Sequence, residues 1–385
     1  MLNYTLISVF IRFVYIFLQK TKLILKVVHV IEALGGGVYT YFKDLSYYFG
    51  DDKINTNVNT TIIYSGNRKE INPLKIKEDF SNGIDLLEVD MPMTLSPLKD
   101  LKSVFKLREV LKKINPDVIH LHSSKAGVIG RLAVFLLFNK RLLFYSPHGY
   151  SFLRCDISKF SKFVFWNIEK WMQFFLGGKT IACGDTEYEI SKKIGNSYLI
   201  RNGINIGDVS ENIFPNENLT LTIGIVARIT FARNPKLFNE IALKHPNINF
   251  VWIGDGDLKH LITASNIRIT GWLLNRKEVL RELNNIDVYL QTSLWEGLPI
   301  ALLEAMAMKK PIIATNIIGN KDIVVHNKTG FLFENIEELE NYFEILKDKK
   351  IQKEFGEKGF ERCNEYFNKD KNFANLVSLY KNSTP

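Results

Sequence analysis

Residues 287–316 read DVYLQTSLWEGLPIALLEAMAMKKPIIATN. The first seven, DVYLQTS (287–293), are a short apolar run of strand length ending in polar residues. WEGLP is a loop, PIALLEAMAM (299–308) has helix length and composition, and PIIATN (311–316) is a second apolar run. Strand, helix and strand in that order, with strands apolar along both faces, describe parallel neighbours covered by helices on each side. Pro299 fits the first helical turn, where its missing N–H costs nothing.

The same alternation extends outward in both directions. Upstream, LTIGIVAR (221–228), INFVWIGDG (248–256) and IRITGW (267–272) read as strands, with helices at 235–245 and 276–284. Downstream, GFLF (330–333) is a short strand and 335–382 is largely helical. A separate series begins at KVVHVIE (26–32) and runs through TTIIYSG (60–66), DVIHLHS (117–123), RLLFYSPHG (141–149), KTIACG (179–184) and SYLIRNG (197–203). The expected fold class is therefore α/β, with two doubly wound Rossmann-like domains facing a central cleft and helices at the C-terminus. The boundaries fall at 26–204 for the first domain and 205–365 for the second. A C-terminal helix at 366–385 is expected to cross back to the first domain.

Composition narrows the function classes. The chain has 385 residues, 46% hydrophobic and 24% charged, a globular balance long enough for two domains. Cys155, Cys183 and Cys363 form no CxxC pair, which argues against a disulfide framework or a zinc site. The net charge of +9 suits phosphorylated small molecules or anionic lipid. Its dispersed positive charges and lack of a reader motif exclude nucleic acid as the expected partner. Residues 1–25 are apolar and aromatic, with Thr5, Ser8, Arg12, Tyr15, Gln19 and Lys22 in one narrow polar stripe. That pattern suits an amphipathic helix in the membrane interface. A helix capping the protein's own core and a misassigned start codon are the other readings.

The chemistry gathers at strand ends. Glu296 lies just before the helix that starts at Pro299, and Glu304 lies about one turn inside it among Leu302, Leu303, Ala305 and Met306. The N–H groups of Ile300 and Ala301, in the first turn, make an anion site at the sheet's carboxyl edge. An acid favouring the helix dipole explains Glu296 but not an acid in Glu304's apolar setting. Arg228 and Arg233 follow the strand 221–228, either as a solvated pair or as a diphosphate grip. The glycines 35–37 read as a plain turn, and Asp255 and Asp257 as tight-turn residues. His120-x-His122 is expected to fall on opposite faces of its strand, which argues against a metal pair. His122, Ser123 and Lys125 are expected to line the acceptor side.

The E-x7-E spacing, followed by EAMA..KPIIAT and G..DIV..N.TGFLF, resembles glycosyltransferase family 4, the retaining nucleotide-sugar transferases of GT-B fold. The likeness covers nearly all of 26–365. VIHLHSSKAGVIGRLA (118–133) and YSPHGYSF (145–152) resemble its capsule, exopolysaccharide and O-antigen subgroup. The resemblance implies that Glu296 contacts the donor sugar and Glu304 the ribose. It implies that Arg228 and Arg233 hold the diphosphate, with Arg233 replacing the family's lysine. Gly36 and Gly37 would border donor phosphate and acceptor, the base would pack near Gly271–Trp272, and the loop Gly297–Leu298 would line the site. His148 matches the active-site histidine. No metal and no cofactor are implied, only a nucleoside diphosphate sugar donor, with UDP favoured. The acceptor would be a saccharide or polyprenyl-linked saccharide at the cytoplasmic membrane face, reached from the cytoplasm by peripheral association. For the aromatic segment 160–176, a buried helix and a membrane-facing helix both stand. A sugar-nucleotide epimerase of the same fold, or a noncatalytic membrane scaffold, are the alternative functions.

Overall fold

The computed structural model describes residues 24–384, apart from 33, 52, 55–56, 67–72, 95, 138–140, 216–217 and 274. The expectation of an amphipathic helix at 1–25 falls almost wholly outside the described residues. Among the described residues, thirteen strands form two all-parallel sheets. The first contains β1 (Leu25–Ile31), β2 (Val58–Tyr64), β3 (Asp85–Glu88), β4 (Val118–His122), β5 (Leu142–Ser146), β6 (Lys179–Ala182) and β7 (Ser197–Leu199), ordered β3-β2-β1-β4-β5-β6-β7. The second contains β8 (Thr222–Val226), β9 (Asn249–Ile253), β10 (Ile267–Ile269), β11 (Val288–Gln291), β12 (Ile312–Thr315) and β13 (Gly330–Phe333), ordered β10-β9-β8-β11-β12-β13. The fold class is the expected pair of doubly wound α/β units.

Strand order reverses once in each sheet, where β1 lies between β2 and β4, and where β8 lies between β9 and β11. Helices on the two sides of such a reversal leave opposite faces, so a crevice opens at the strands' carboxyl ends. The loops after β1, β4, β8 and β11 therefore become the natural walls of a binding site.

The quoted stretch forms β11, the helix Ile300–Ala307 and β12. Seven of that helix's eight residues are buried, because it is wedged between the second sheet and the long helix Lys349–Tyr366. A Cβ on Gly359 of that helix would lie 3.2 Å from Met306, so the two helices approach closely.

After the second sheet the chain returns to the first. Ile204 N–H donates to Phe367 O at 2.9 Å and Lys369 N–H to Ile204 O at 3.1 Å, so both crossings run side by side. The helix Lys369–Ser383 then buries Phe373, Leu376, Val377 and Tyr380 among Phe42, Phe49, Phe144 and Ile181 of the first lobe. Lys369 Nζ bonds buried Asp44 Oδ1 at 3.2 Å.

Several short elements escaped the sequence pattern. β3 is an edge strand, with only Leu86 among its four residues partly covered, so it carries no apolar alternation. The helices Pro73–Asp79 and Asp185–Ser191 have seven residues each, too short for a helical period to show.

Candidate active site

The loop after β11 and the helix it leads into meet the loops after β1 and β5. A Cβ on Gly149 would lie 3.2 Å from Gly297 Cα, and one on Gly37 would lie 3.1 Å from Ile300 Cγ1. The first lobe thus touches the second through glycines, with the backbone of Gly149 against that of Gly297 and Gly37 against the Ile300 side chain. Gly149 has φ +100°, a conformation that disfavours any Cβ. Nearby, Thr186 donates through its N–H at 3.1 Å and its hydroxyl at 2.5 Å to Asp322. Leu298 Cδ1 lies 3.2 Å from the Cβ position of Gly184.

Glu296 is buried in the exit loop of β11. Its Oε1 accepts from Gln291 Nε2 at 2.7 Å and Ser293 Oγ at 2.8 Å, and pairs with Arg233 at 2.7 Å. Tyr289 donates its hydroxyl to Gln291 Oε1 at 3.0 Å, which orients the amide. Arg233 ends a 3-10 turn, Phe231–Arg233, and Asn234 caps the helix beginning at Pro235 from the left-handed region. The Arg233 carbonyl accepts from Thr292 Oγ1 at 2.8 Å. The loops after β8 and β11 are thereby tied together. Arg228 is more exposed and lies 3.9 Å from Asp257.

Glu304 points from the buried helix to Arg276, whose guanidinium stands 2.8 Å away. Burial pushes its carboxyl above the usual carboxylate range. Arg276 opposes that shift and Asp44, across the lobe boundary, adds to it. The pair therefore lies where the first lobe's helix Gly37–Gly50 approaches. Pro299 stands just outside the helix as its N-cap, not inside its first turn as the sequence reading had it. The first-turn N–H groups of Ile300 and Ala301 have no partners within the helix, and Gly37 stands over Ile300.

Gly36 has φ +55° and caps the helix Gly37–Gly50, so it supplies a turn that a side chain would strain. Gly271 has φ +74°, and Trp272 beside it is 61% exposed. Asp255 accepts from Gly256 N–H at 2.7 Å, a tight turn.

His148 follows β5 with φ +52°. Its Nε2 lies 2.9 Å from His122 Nδ1, and its carbonyl carbon and oxygen border the Cβ position of Gly297. Burial pulls its pKa down to about 4. The loop is pinned by buried Glu187, which accepts from Gly149 N–H at 2.7 Å and Cys183 N–H at 2.9 Å.

The histidines of β4 depart from the sequence expectation of opposite faces. His120 and His122 are two residues apart, and a strand's side chains repeat every two, so they share a face. Their ring centroids are 3.9 Å apart. His29 joins them, and one nitrogen from each of the three falls within 4.8 Å of the others. Both nitrogens of His120 already have partners, Tyr380 Oη at 2.6 Å and Ser146 Oγ at 2.9 Å. His122 is fully buried rather than lining an open acceptor surface. Lys125 pairs with Asp100 at 2.6 Å.

Gln291, Ser293, Arg276 and Glu187 were not singled out from sequence. The polar QTS that ends apolar β11 was the one available signal for the first two. Arg276 and Glu187 sit in ordinary charged stretches.

A model described as Glycosyltransferase Family 4 matches residues 35–208, and one described as Glycosyl transferases group 1 matches 210–362. The chain is 31% identical to an Escherichia coli UDP-Gal:alpha-D-GlcNAc-diphosphoundecaprenol alpha-1,3-galactosyltransferase, over 66% of this chain and 71% of that one. It is 24% identical to the Staphylococcus aureus capsular polysaccharide biosynthesis glycosyltransferase CapM, over 76% and 83% respectively. Among solved structures, Anabaena HepE in complex with UDP and glucose superposes with TM-score 0.73 at 15% identity, covering 93% of this chain and 99% of that one. Two facing Rossmann-like lobes with a C-terminal helix crossing back define the GT-B class. The chain belongs to glycosyltransferase family 4.

Proposed function

We propose that this protein is a retaining transferase of surface polysaccharide biosynthesis. It moves a hexose from a UDP-sugar to a polyprenyl-diphosphate-linked saccharide. The observation that carries this reading is the convergence of Arg233, Glu296, the Ile300 helix start and the His148 loop where the lobes touch. The donor named for the E. coli relative and the ligands of HepE support UDP.

In this reading the diphosphate lies against Arg228, Arg233 and the N–H groups of Ile300 and Ala301. Arg233 turns from Glu296 to phosphate, or bridges both. Glu304 accepts from the ribose hydroxyls, Glu296 from the sugar hydroxyls, and the uracil packs near Gly271–Trp272. Gly36 and Gly37 let the first lobe close over the phosphates, with Gly297 and Leu298 along the opposite wall. Reaction breaks the bond from the anomeric carbon to the β-phosphate oxygen and forms one to the acceptor oxygen on the same face. The acceptor's proton passes to the departing phosphate oxygen. The arginines and helix start stabilise the growing charge on UDP without reorganising. Donor binding needs no metal in this scheme.

The helix Lys159–Leu176 supports the acceptor's location. Phe160, Phe163, Trp171, Phe174 and Phe175 are all exposed, while its buried residues are Glu169 and Gln173. This exposed aromatic face, beside exposed Lys159 and Lys170, suits docking on an anionic leaflet. No described helix is long and apolar enough to cross a membrane.

The test is transfer. Purified protein is incubated with labelled UDP-hexoses and undecaprenyl-diphosphate-linked N-acetylglucosamine, and the lipid product is followed with its anomeric configuration. Label entering the lipid with retained configuration supports the reading. UDP-sugar hydrolysis or epimerisation alone, or an inverted product, overturns it.

A further inference from the structure

Three histidines run in a line from the cleft into the core of the first lobe. His148 Nε2 lies 2.9 Å from His122 Nδ1, and His122 Nε2 lies 3.0 Å from His29 Nδ1. The rings are stacked, with each consecutive pair of centroids 5.2 Å apart. The two outer nitrogens, His148 Nδ1 and His29 Nε2, are buried without a partner. His122 and His29 are fully buried, and His29 sits against Phe42, Phe49 and Tyr380.

Burial keeps these rings neutral. It lowers the pKa to about 3 for His29 and about 4 for His148, and well below the ordinary value for His122. A neutral imidazole carries one N–H and one bare nitrogen. Each contact in the line needs one of each, so only two proton arrangements satisfy both hydrogen bonds. In one, protons point inward, and His29 is left with an N–H donor aimed at aromatic carbon. In the other, protons point outward from His29 to His122 to His148, and the surplus donor emerges on His148 Nδ1. An orphaned buried N–H is the rarer and costlier defect. The outward arrangement moves it to His148 beside the lobe boundary, where Nδ1 is covered in the structure and donor binding has to uncover it before a ligand oxygen accepts.

We propose that His122 and His29 are positioning residues that hold the proton of His148 on Nδ1, so the cleft presents an N–H donor and not a base. This rests on the reading of that cleft as the donor-sugar site. His148 then donates to a sugar hydroxyl or phosphate oxygen, and the reaction's proton goes elsewhere. The inner histidines act through His148 and touch no substrate.

The tautomer is read without substrate, so it is independent of the transfer assay. Full-length protein with 15N-labelled histidine is examined by long-range proton–nitrogen correlation, with His148 assigned by comparison with His148→Gln. The Nδ1–H pattern for His148 is expected, although free neutral imidazole side chains prefer Nε2–H. An Nε2–H pattern in the unsubstituted protein overturns the proposal whatever the variants do. In the transfer assay, His122→Asn keeps an amide donor near the lost Nδ1–H, and His122→Leu removes it. The asparagine variant should hold kcat within about threefold. The leucine variant should lose about tenfold in kcat with little change in KM for the donor, the scale of one hydrogen bond. Equal losses in the two folded variants would also overturn the proposal. A silent unsubstituted enzyme with the Nδ1–H pattern would instead sink the transferase reading alone.

Discussion

Arg233 lies within 2.7 Å of the carboxylate of Glu296, so the cation proposed for phosphate is held in place by a neighbouring acid. Removing it should leave Glu296 buried and unpaired while deleting a donor to the leaving group. Arg233→Ala is expected to lower kcat/KM roughly a hundredfold or more, with Arg233→Lys between it and the parent; steady-state rates with saturating acceptor measure this. Glu304 makes a second case. Its folded pKa is raised by burial, so ionised Glu304 carries a stability penalty above that raised pKa, and the penalty vanishes below the unfolded value. Glu304→Gln should therefore melt at or above the parent temperature at pH 8. The difference should shrink towards pH 5, while UDP protection is lost. Thermal melts across pH with and without UDP check both halves. The two glutamates were legible in sequence because acids within an apolar run need a reason. Gln291, Ser293, Arg276 and Glu187 were not, because their roles come from contacts with other parts of the fold. His120 and His122 share a face because side chains along a strand repeat every two residues.

Among the elements, the helix Lys159–Leu176 departs furthest from ordinary packing. A core helix would bury its aromatics; this one packs Phe165 and Trp166 against the first lobe, leaves five others outside, and buries Glu169, which accepts from Tyr145 Oη at 2.8 Å and stands 4.0 Å from Arg131. Replacing Phe160, Phe163 and Phe174 together with serine should leave the melting temperature nearly unchanged and sharply reduce co-flotation with anionic vesicles. Unchanged flotation would remove this helix from the membrane contact. Sequence alone left buried and exposed readings open, since aromatic content says nothing about which face a lobe covers. The long apolar strands were plain for the opposite reason: burial on both faces leaves little room for polar residues. Edge strand β3, half solvated, had no such constraint.

At the scale of the whole molecule, two lobes meet through glycine. A Cβ on Gly297 would lie 2.6 Å from His148 O, so Gly297→Val should hold the lobes apart. Transfer is expected to fall by orders of magnitude while each lobe stays folded, which small-angle scattering and circular dichroism would report. The paired lobes were legible from two series of strand–helix alternation. Their contacts were not, because a glycine in a sequence does not say which backbone it faces across a cleft. In the proposed mechanism, Arg233 and the Glu296–Glu304 segment grip a nucleoside diphosphate between the lobes. Isothermal titration of UDP into the parent and Arg233→Ala proteins tests it most directly. A saturable single-site isotherm, weakened at least about tenfold by the substitution, or roughly 1.4 kcal/mol, is the predicted result. No saturable binding to the parent, or equal affinity in both proteins, would contradict it.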